Sequence, residues 1–140
     1  MNDSLKKLYQ KVLMDRQRSE QGFAKRPEAQ DKIEAYNPLC GDQFTLYFDR
    51  TADQVQEVSF HGYGCAVSKA STSLLVEELQ GCTTEEARNR IAAFLSLMQG
   101  EIESSDELRQ ALVVSRNFPG RAQCAELSWK AALEYFENIK

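Results

Sequence analysis

The chain has 140 residues, 42% of them hydrophobic and 27% charged, with 17 Lys and Arg against 21 Asp and Glu for a formal net charge of −4. That length is one ordinary domain, able to bury its own core without staples, and 7 Gly and 3 Pro exclude a collagen-like or low-complexity chain. The acidic balance excludes the clustered positive charge on which a nucleic-acid partner depends.

Leu5, Leu8, Tyr9, Val12 and Leu13 recur at helical spacing and predict a helix over 4–18, with Ser4 as its N-cap. Residues 19–36 are polar, contain Gly22 and Pro27, and read as an exposed connection with one short strand near Ile33–Tyr36. Over Gln43–Arg50, Phe44, Leu46 and Phe48 alternate with Thr45 and Tyr47, which predicts a half-buried strand. Thr51-Ala52-Asp53 turns the chain into a second strand, Val55–His61, so the pair forms an antiparallel hairpin. From Cys65 the period changes. Val67, Ala70, Leu74, Leu75 and Leu79 predict a helix to Gln80, stopped by Gly81. Thr83 or Thr84 caps the next helix, which has Ile91, Phe94, Leu95 and Met98 on its apolar face and ends at Gly100. Ser104 or Ser105 caps a short helix through Val114, and Arg121–Ile139 forms a last amphipathic helix. The order predicts an α+β fold, a small antiparallel β-sheet of about three strands with helices packed on one face.

Apolar runs are only a few residues long, too short for a membrane span, and the opening Met1-Asn2-Asp3-Ser4-Leu5-Lys6-Lys7 lacks the apolar stretch of a secretory leader. The sequence therefore reads as a single soluble, cytoplasmic domain over 1–140, with no nucleic-acid or membrane partner. In a reducing compartment, its four cysteines are better read as metal ligands or reactive groups than as bridges. Cys40 and Asp42 flank Gly41 just before the first clear strand, Cys65 follows Gly62-Tyr63-Gly64 at a helix start, and Cys124 lies in the first turn of the last helix. These spacings are too long for a zinc finger, so any metal site is assembled by tertiary structure. Cys40, Asp42, Cys65 and Cys124 offer three sulfurs and one oxygen, a four-coordinate shell suited to zinc. The carboxylate is the harder, more exchangeable ligand. On residue types alone, three buried small hydrophobes that happen to be cysteines remain a rival reading. Cys82 reads as structural. His61 reads as a strand-end histidine, and Lys69, one turn past Cys65, as either a thiol-tuning cation or a solvated lysine.

Asn37-Pro38-Leu39-Cys40-Gly41-Asp42, then Gly62-Tyr63-Gly64-Cys65 opening a Ser- and Ala-rich helix, then Arg121-Ala122-Gln123-Cys124 before a helix, resemble the SufU/IscU family of iron–sulfur assembly proteins, with its NifU N-terminal-like members. The likeness runs from about Asn37 to the C-terminus. Two details are similar to the SufU branch. Gln123 stands where IscU members carry a His before the last cysteine, and the segment around Thr83–Val114 looks like the longer stretch that SufU proteins have between the second and third cysteines.

The resemblance implies an α+β sandwich that holds one zinc ion through Cys40, Asp42, Cys65 and Cys124. It also implies a zinc-dependent sulfurtransferase that takes persulfide sulfur from a SufS-like cysteine desulfurase, with Cys40 as acceptor and downstream SUF assembly proteins as recipients. In that scheme a His of the desulfurase replaces Cys40 on the zinc, and the freed thiolate attacks the desulfurase persulfide. Arg121 matches a family arginine near the site and is expected to steady a thiolate or persulfide. The alternative is a scaffold on which iron or a [2Fe–2S] cluster is held by the same three cysteines and passed on. The missing His beside Cys124 weighs against it. A purely structural zinc module is a third reading, against which Asp42 stands, because structural sites are usually closed by Cys and His.

Overall fold

The computed structural model describes residues 3–39, 41–118 and 120–139. In chain order the elements are α1 (Asp3–Gln17), β1 (Asp31–Asn37), β2 (Asp42–Arg50), β3 (Val55–Tyr63), α2 (Ala66–Leu79), α3 (Thr84–Met98), α4 (Glu107–Ser115) and α5 (Arg121–Asn138). The three strands form one antiparallel sheet in the order β1-β2-β3. The predicted α+β class is therefore the observed one.

The alternation in β2 does what its pattern requires. Phe44, Leu46 and Phe48 are fully buried on the helix side, where burying each side chain is worth ~1.5–3 kcal/mol. Phe48 stacks on Tyr135 of α5 with ring centroids 4.7 Å apart and meets Phe136 edge-on at 5.6 Å. Phe44 meets Phe60 of β3 at 5.9 Å. Behind α5, Trp129 stacks on Phe94 of α3 with centroids 3.9 Å apart.

The chain between α1 and β1 is more structured than an exposed connection. The Ala24 N–H donates to the Phe60 carbonyl and the Phe60 N–H to the Gly22 carbonyl, both at 2.9 Å, which straps this segment to the free edge of β3. Ser59 Oγ then donates to the Ala24 carbonyl at 3.0 Å, and Arg26 pairs with Asp49 and Glu57 on the face of the sheet away from the helices. Helices cover one face, as expected. A polar strap shields part of the other.

Helix starts follow their caps. Thr83, not Thr84, caps α3, in a reciprocal capping box with Glu86. The α4 cap is Asp106, whose carboxylate accepts the Arg109 N–H at 3.0 Å. Ser104 instead accepts the Asp106 N–H at 3.1 Å, one step ahead of the helix, and Ser105 is not the cap. Ser4 lies inside α1 and so is not its N-cap.

Candidate metal centre

The site forms at the end of the sheet where the β1–β2 hairpin closes. Asn37 pairs with Asp42 across that hairpin, the Asn37 side chain accepts the Leu39 N–H at 3.0 Å, and its carbonyl accepts the Gly41 N–H at 2.8 Å. Gly41 adopts φ +76°, a left-handed conformation that glycine takes without steric cost. This turn delivers Asp42 to the buried row of β2, and the residue is 2% exposed.

Two glycines bring the end of β3 against that carboxylate. A Cβ on Gly62, at φ +142°, would come within 2.2 Å of the Gln43 carbonyl oxygen. One on Gly64 would meet Ser68 Oγ at 2.5 Å, Asp42 Oδ1 at 2.8 Å and Phe44 at 2.9 Å. Only hydrogen fits at these positions. Cys65 then caps α2: its sulfur accepts the Ser68 N–H at 3.5 Å, while its own N–H donates to Asp42 Oδ1 at 3.0 Å.

Cys124 arrives from the start of α5, which is fastened to α2 by buried hydroxyls. Ser71 Oγ donates to the Ala125 carbonyl and accepts the Trp129 indole N–H at 2.9 Å, and Thr72 and Ser128 share a hydrogen bond at 2.7 Å. Ser68, Ser71, Thr72 and Ser73 are all at most 2% exposed. Their small side chains let the helices approach, and their hydroxyls find partners, so burial does not leave polar atoms unpaired.

Among the described residues, one group of His, Cys, Asp and Glu could hold a metal ion: Asp42, Cys65 and Cys124, whose ligand atoms all lie within 4.8 Å of one another. Cys65 Sγ is 3.9 Å from Asp42 Oδ2, and ligand atoms around a tetrahedral zinc stand ~3.5–3.8 Å apart given its bond lengths. The donor set fits such an ion. Cys40, the fourth expected ligand, lies outside the described residues. Its neighbours Leu39 and Gly41 are exposed, with Leu39 at 86%.

Electrostatically the trio is crowded with potential anions. Burial, the hydrogen bond to Asp42 and the nearby Cys65 sulfur push the Cys124 thiol far above the ordinary range. A helix start alone therefore does not make a free thiolate here, whereas a bound cation supplies the charge that lets the proton leave. Arg121 is the cation already present. Negative charge on Cys65 and a hydrogen bond with Cys124 raise its pKa.

The residues set aside in the sequence separate cleanly. Cys82 is 4% exposed in the core, with its thiol pushed up by burial. His61 lies against the Phe23 ring at 4.5 Å and is not in the ligand group. The Lys69 ammonium sits over the Phe23 ring, 4.3 Å from its centroid, a cation–π contact. Ser68 was not foreseen as a site residue. The signal for it was its place three residues after a capping Cys65.

Residues 8–125 match the model of the NifU-like N-terminal domain. The chain belongs to this family. It is 35% identical over 133 residues, covering 93% of this chain and 90% of the relative, to the zinc-dependent sulfurtransferase SufU of Bacillus subtilis. It is also 31% identical over 136 residues, covering 96% of each, to the iron–sulfur cluster assembly scaffold protein IscU of Thermotoga maritima. A solved SufU structure from Fervidobacterium islandicum, described as an iron–sulfur cluster assembly scaffold for the SUF system, superposes with a TM-score of 0.78 at 31% identity, covering 90% of this chain and 94% of that one. No helix among the described residues is long and apolar enough to cross a membrane.

Proposed function

We propose that this member of the NifU-like family serves iron–sulfur cluster assembly as a zinc-dependent sulfurtransferase, with Cys40 as the thiol that accepts persulfide sulfur from a SufS-like cysteine desulfurase. The observation that carries this reading is the convergence of Asp42, Cys65 and Cys124 beside a hairpin tip whose exposed residues flank Cys40. The named sulfurtransferase relative supports it. Asp42, Cys65, Cys124 and Cys40 would hold the zinc ion, which when bound would supply a redox-inert cation that favours ionised thiols. The chain's own residues do the rest. Asp42 is a ligand that exchanges more readily than sulfur, and it holds the α2 start through the Cys65 N–H. The Cys40 thiolate attacks the outer sulfur of the donor's persulfide. A new S–S bond forms to Cys40, the donor's S–S bond breaks, and the donor cysteine leaves as a thiolate. Arg121 neutralises the negative charge that gathers on the sulfurs.

The second reading, a scaffold for a [2Fe–2S] cluster, is favoured by the IscU relative of similar coverage. Against it, Gln123 is exposed and occupies the position before Cys124, so no His ligand is offered there. Mass spectrometry of the zinc-loaded protein after incubation with desulfurase and cysteine decides between them. One added sulfur on the Cys40 peptide, absent from Cys40→Ser, supports the transferase. No added sulfur, together with a stable cluster after anaerobic iron loading, overturns it.

A further inference from the structure

Beside the metal centre, α1, the start of α2 and α4 enclose a cavity of about 570 Å³. Its walls are largely apolar, formed by Tyr9, Leu13, Met14, Val67, Val114 and Phe118. Among the described residues lining it, the charged ones are Lys6 and Arg121, both cations. Lys6 lies over the Phe118 ring, 4.9 Å from its centroid. Arg121 lines it as well, and so does Ala66, the residue after Cys65. The cavity therefore adjoins the start of α2, which Cys65 caps.

The helix that forms the outer wall is itself unusual in this acidic chain. α1 carries Lys6, Lys7, Lys11 and Arg16 against Asp3 and Asp15, and it buries only Leu13. Leu5, Leu8 and Met14 leave it 38%, 45% and 38% exposed. Of these, Met14 lines the cavity together with Lys6, so an apolar opening bordered by a cation marks an interaction face. Its charge complement is an acidic segment with apolar anchors.

We propose that the groove between α1 and α4 seats an acidic, apolar segment of the sulfur donor, placing the donor's persulfide at the Arg121 end beside the metal centre. This rests on the persulfide-acceptor reading above. The donor's carboxylates meet Lys6, its apolar side chains fill the cavity, and the occupied groove orients the donor with respect to Cys40.

The test uses the full-length, zinc-loaded protein and a SUF-type cysteine desulfurase, measuring binding by calorimetry and KM against kcat for sulfur transfer. Lys6→Glu and Met14→Glu each weaken binding and raise KM about tenfold while leaving kcat at saturation in place, as loss of a docking contact does. Lys7→Glu makes the same change in net charge one residue away, outside the groove, and shifts neither quantity beyond about twofold. Equal effects of Lys6→Glu and Lys7→Glu, or a wild-type KM in Lys6→Glu, overturn the proposal, and this pair decides alone should Met14→Glu fail to fold. A concentration-dependent dimer in the wild type that Met14→Glu abolishes, with donor binding unchanged, also overturns it by assigning the groove to a second copy. Normal transfer with unaltered KM in the variants refutes the groove alone. Absence of any sulfur transfer to the wild-type chain refutes the acceptor reading, and the groove with it.

Discussion

Replacing Gly64 with alanine places a methyl carbon 2.5 Å from Ser68 Oγ, 2.8 Å from Asp42 Oδ1 and 2.9 Å from Phe44. Each separation is well inside van der Waals contact, and two of the three partners belong to the site. The Asp42 carboxylate must move, and with it goes the acceptor of the 3.0 Å hydrogen bond from the Cys65 N–H. Overpacking of this kind costs about 1–3 kcal/mol, which in a chain of this length lowers Tm by roughly 2–4 °C per kcal/mol. On the proposed ligand set, disturbing Asp42 and its hydrogen bond also lowers metal affinity, by about 10–100-fold. Gly62→Ala gives the contrast. Its Cβ meets backbone, the Gln43 carbonyl at 2.2 Å and Phe44 Cα at 2.8 Å, and its φ is +142°, so the strand pairing itself must yield. Gly62→Ala should therefore lose more stability than Gly64→Ala. Urea unfolding of the metal-free proteins and zinc competition against a chromophoric chelator measure the two effects separately. Zinc affinity in Gly64→Ala equal to wild type would refute the claim that this glycine exists to admit the Asp42 carboxylate.

Asp42→Ala should lower zinc affinity about 10–100-fold and slow sulfur transfer, whereas Asp42→Asn retains an acceptor for the Cys65 N–H and so loses less stability than Asp42→Ala. Normal metal content and transfer in both would remove Asp42 from the ligand set. Cys82→Ser buries a hydroxyl in the core, at a position only 4% exposed. It should cost about 1–3 kcal/mol by thermal denaturation yet leave persulfide on Cys40 unchanged. Tyr135 donates to Asp31 at 2.6 Å and accepts from Arg50 at 2.7 Å, and Tyr135→Phe should lose about 1–2 kcal/mol. Burial and the Asp31 hydrogen bond raise the Tyr135 pKa from 10.0 to about 12. Its contribution is thus fully present below pH 10 and is lost as pH rises through about 12. Ultraviolet difference titration should show one late-ionising tyrosine that Tyr135→Phe removes. The same titration curve in wild type and Tyr135→Phe above pH 10, apart from the lost amplitude of an ordinary tyrosine, would contradict this.

The elements were legible wherever one face is apolar at a clear period. Phe44, Leu46 and Phe48 announce β2, and Leu74, Leu75 and Leu79 announce α2, because burial enforces the spacing. The strap at Gly22–Ala24 was not legible, since it binds the sheet through backbone hydrogen bonds that carry no side-chain pattern. The same holds for Asp106. Ser104, Ser105 and Asp106 are all competent caps, and only the path of the loop selects one. At the site, the motifs around Asp42, Cys65 and Cys124 pointed to the residues that converge. Their mutual distance depended on the buried Ser71, Thr72 and Ser128 contacts between α2 and α5, hydroxyl residues that a hydropathy pattern assigns to the surface. Lys69 had two readings from its helical spacing to Cys65, and neither foresaw the contact of its ammonium with the ring of Phe23, far away in sequence.

The most direct measurement is desulfurase turnover on cysteine, with a SUF-type enzyme, in the presence and absence of the zinc-loaded protein. If Cys40 accepts sulfur beside the Asp42, Cys65 and Cys124 group, turnover rises strongly, a persulfide is trapped on Cys40, and Cys40→Ser abolishes both. Turnover that stays at its basal value although the two proteins bind would contradict the sulfurtransferase account and leave the cluster scaffold as the reading to pursue.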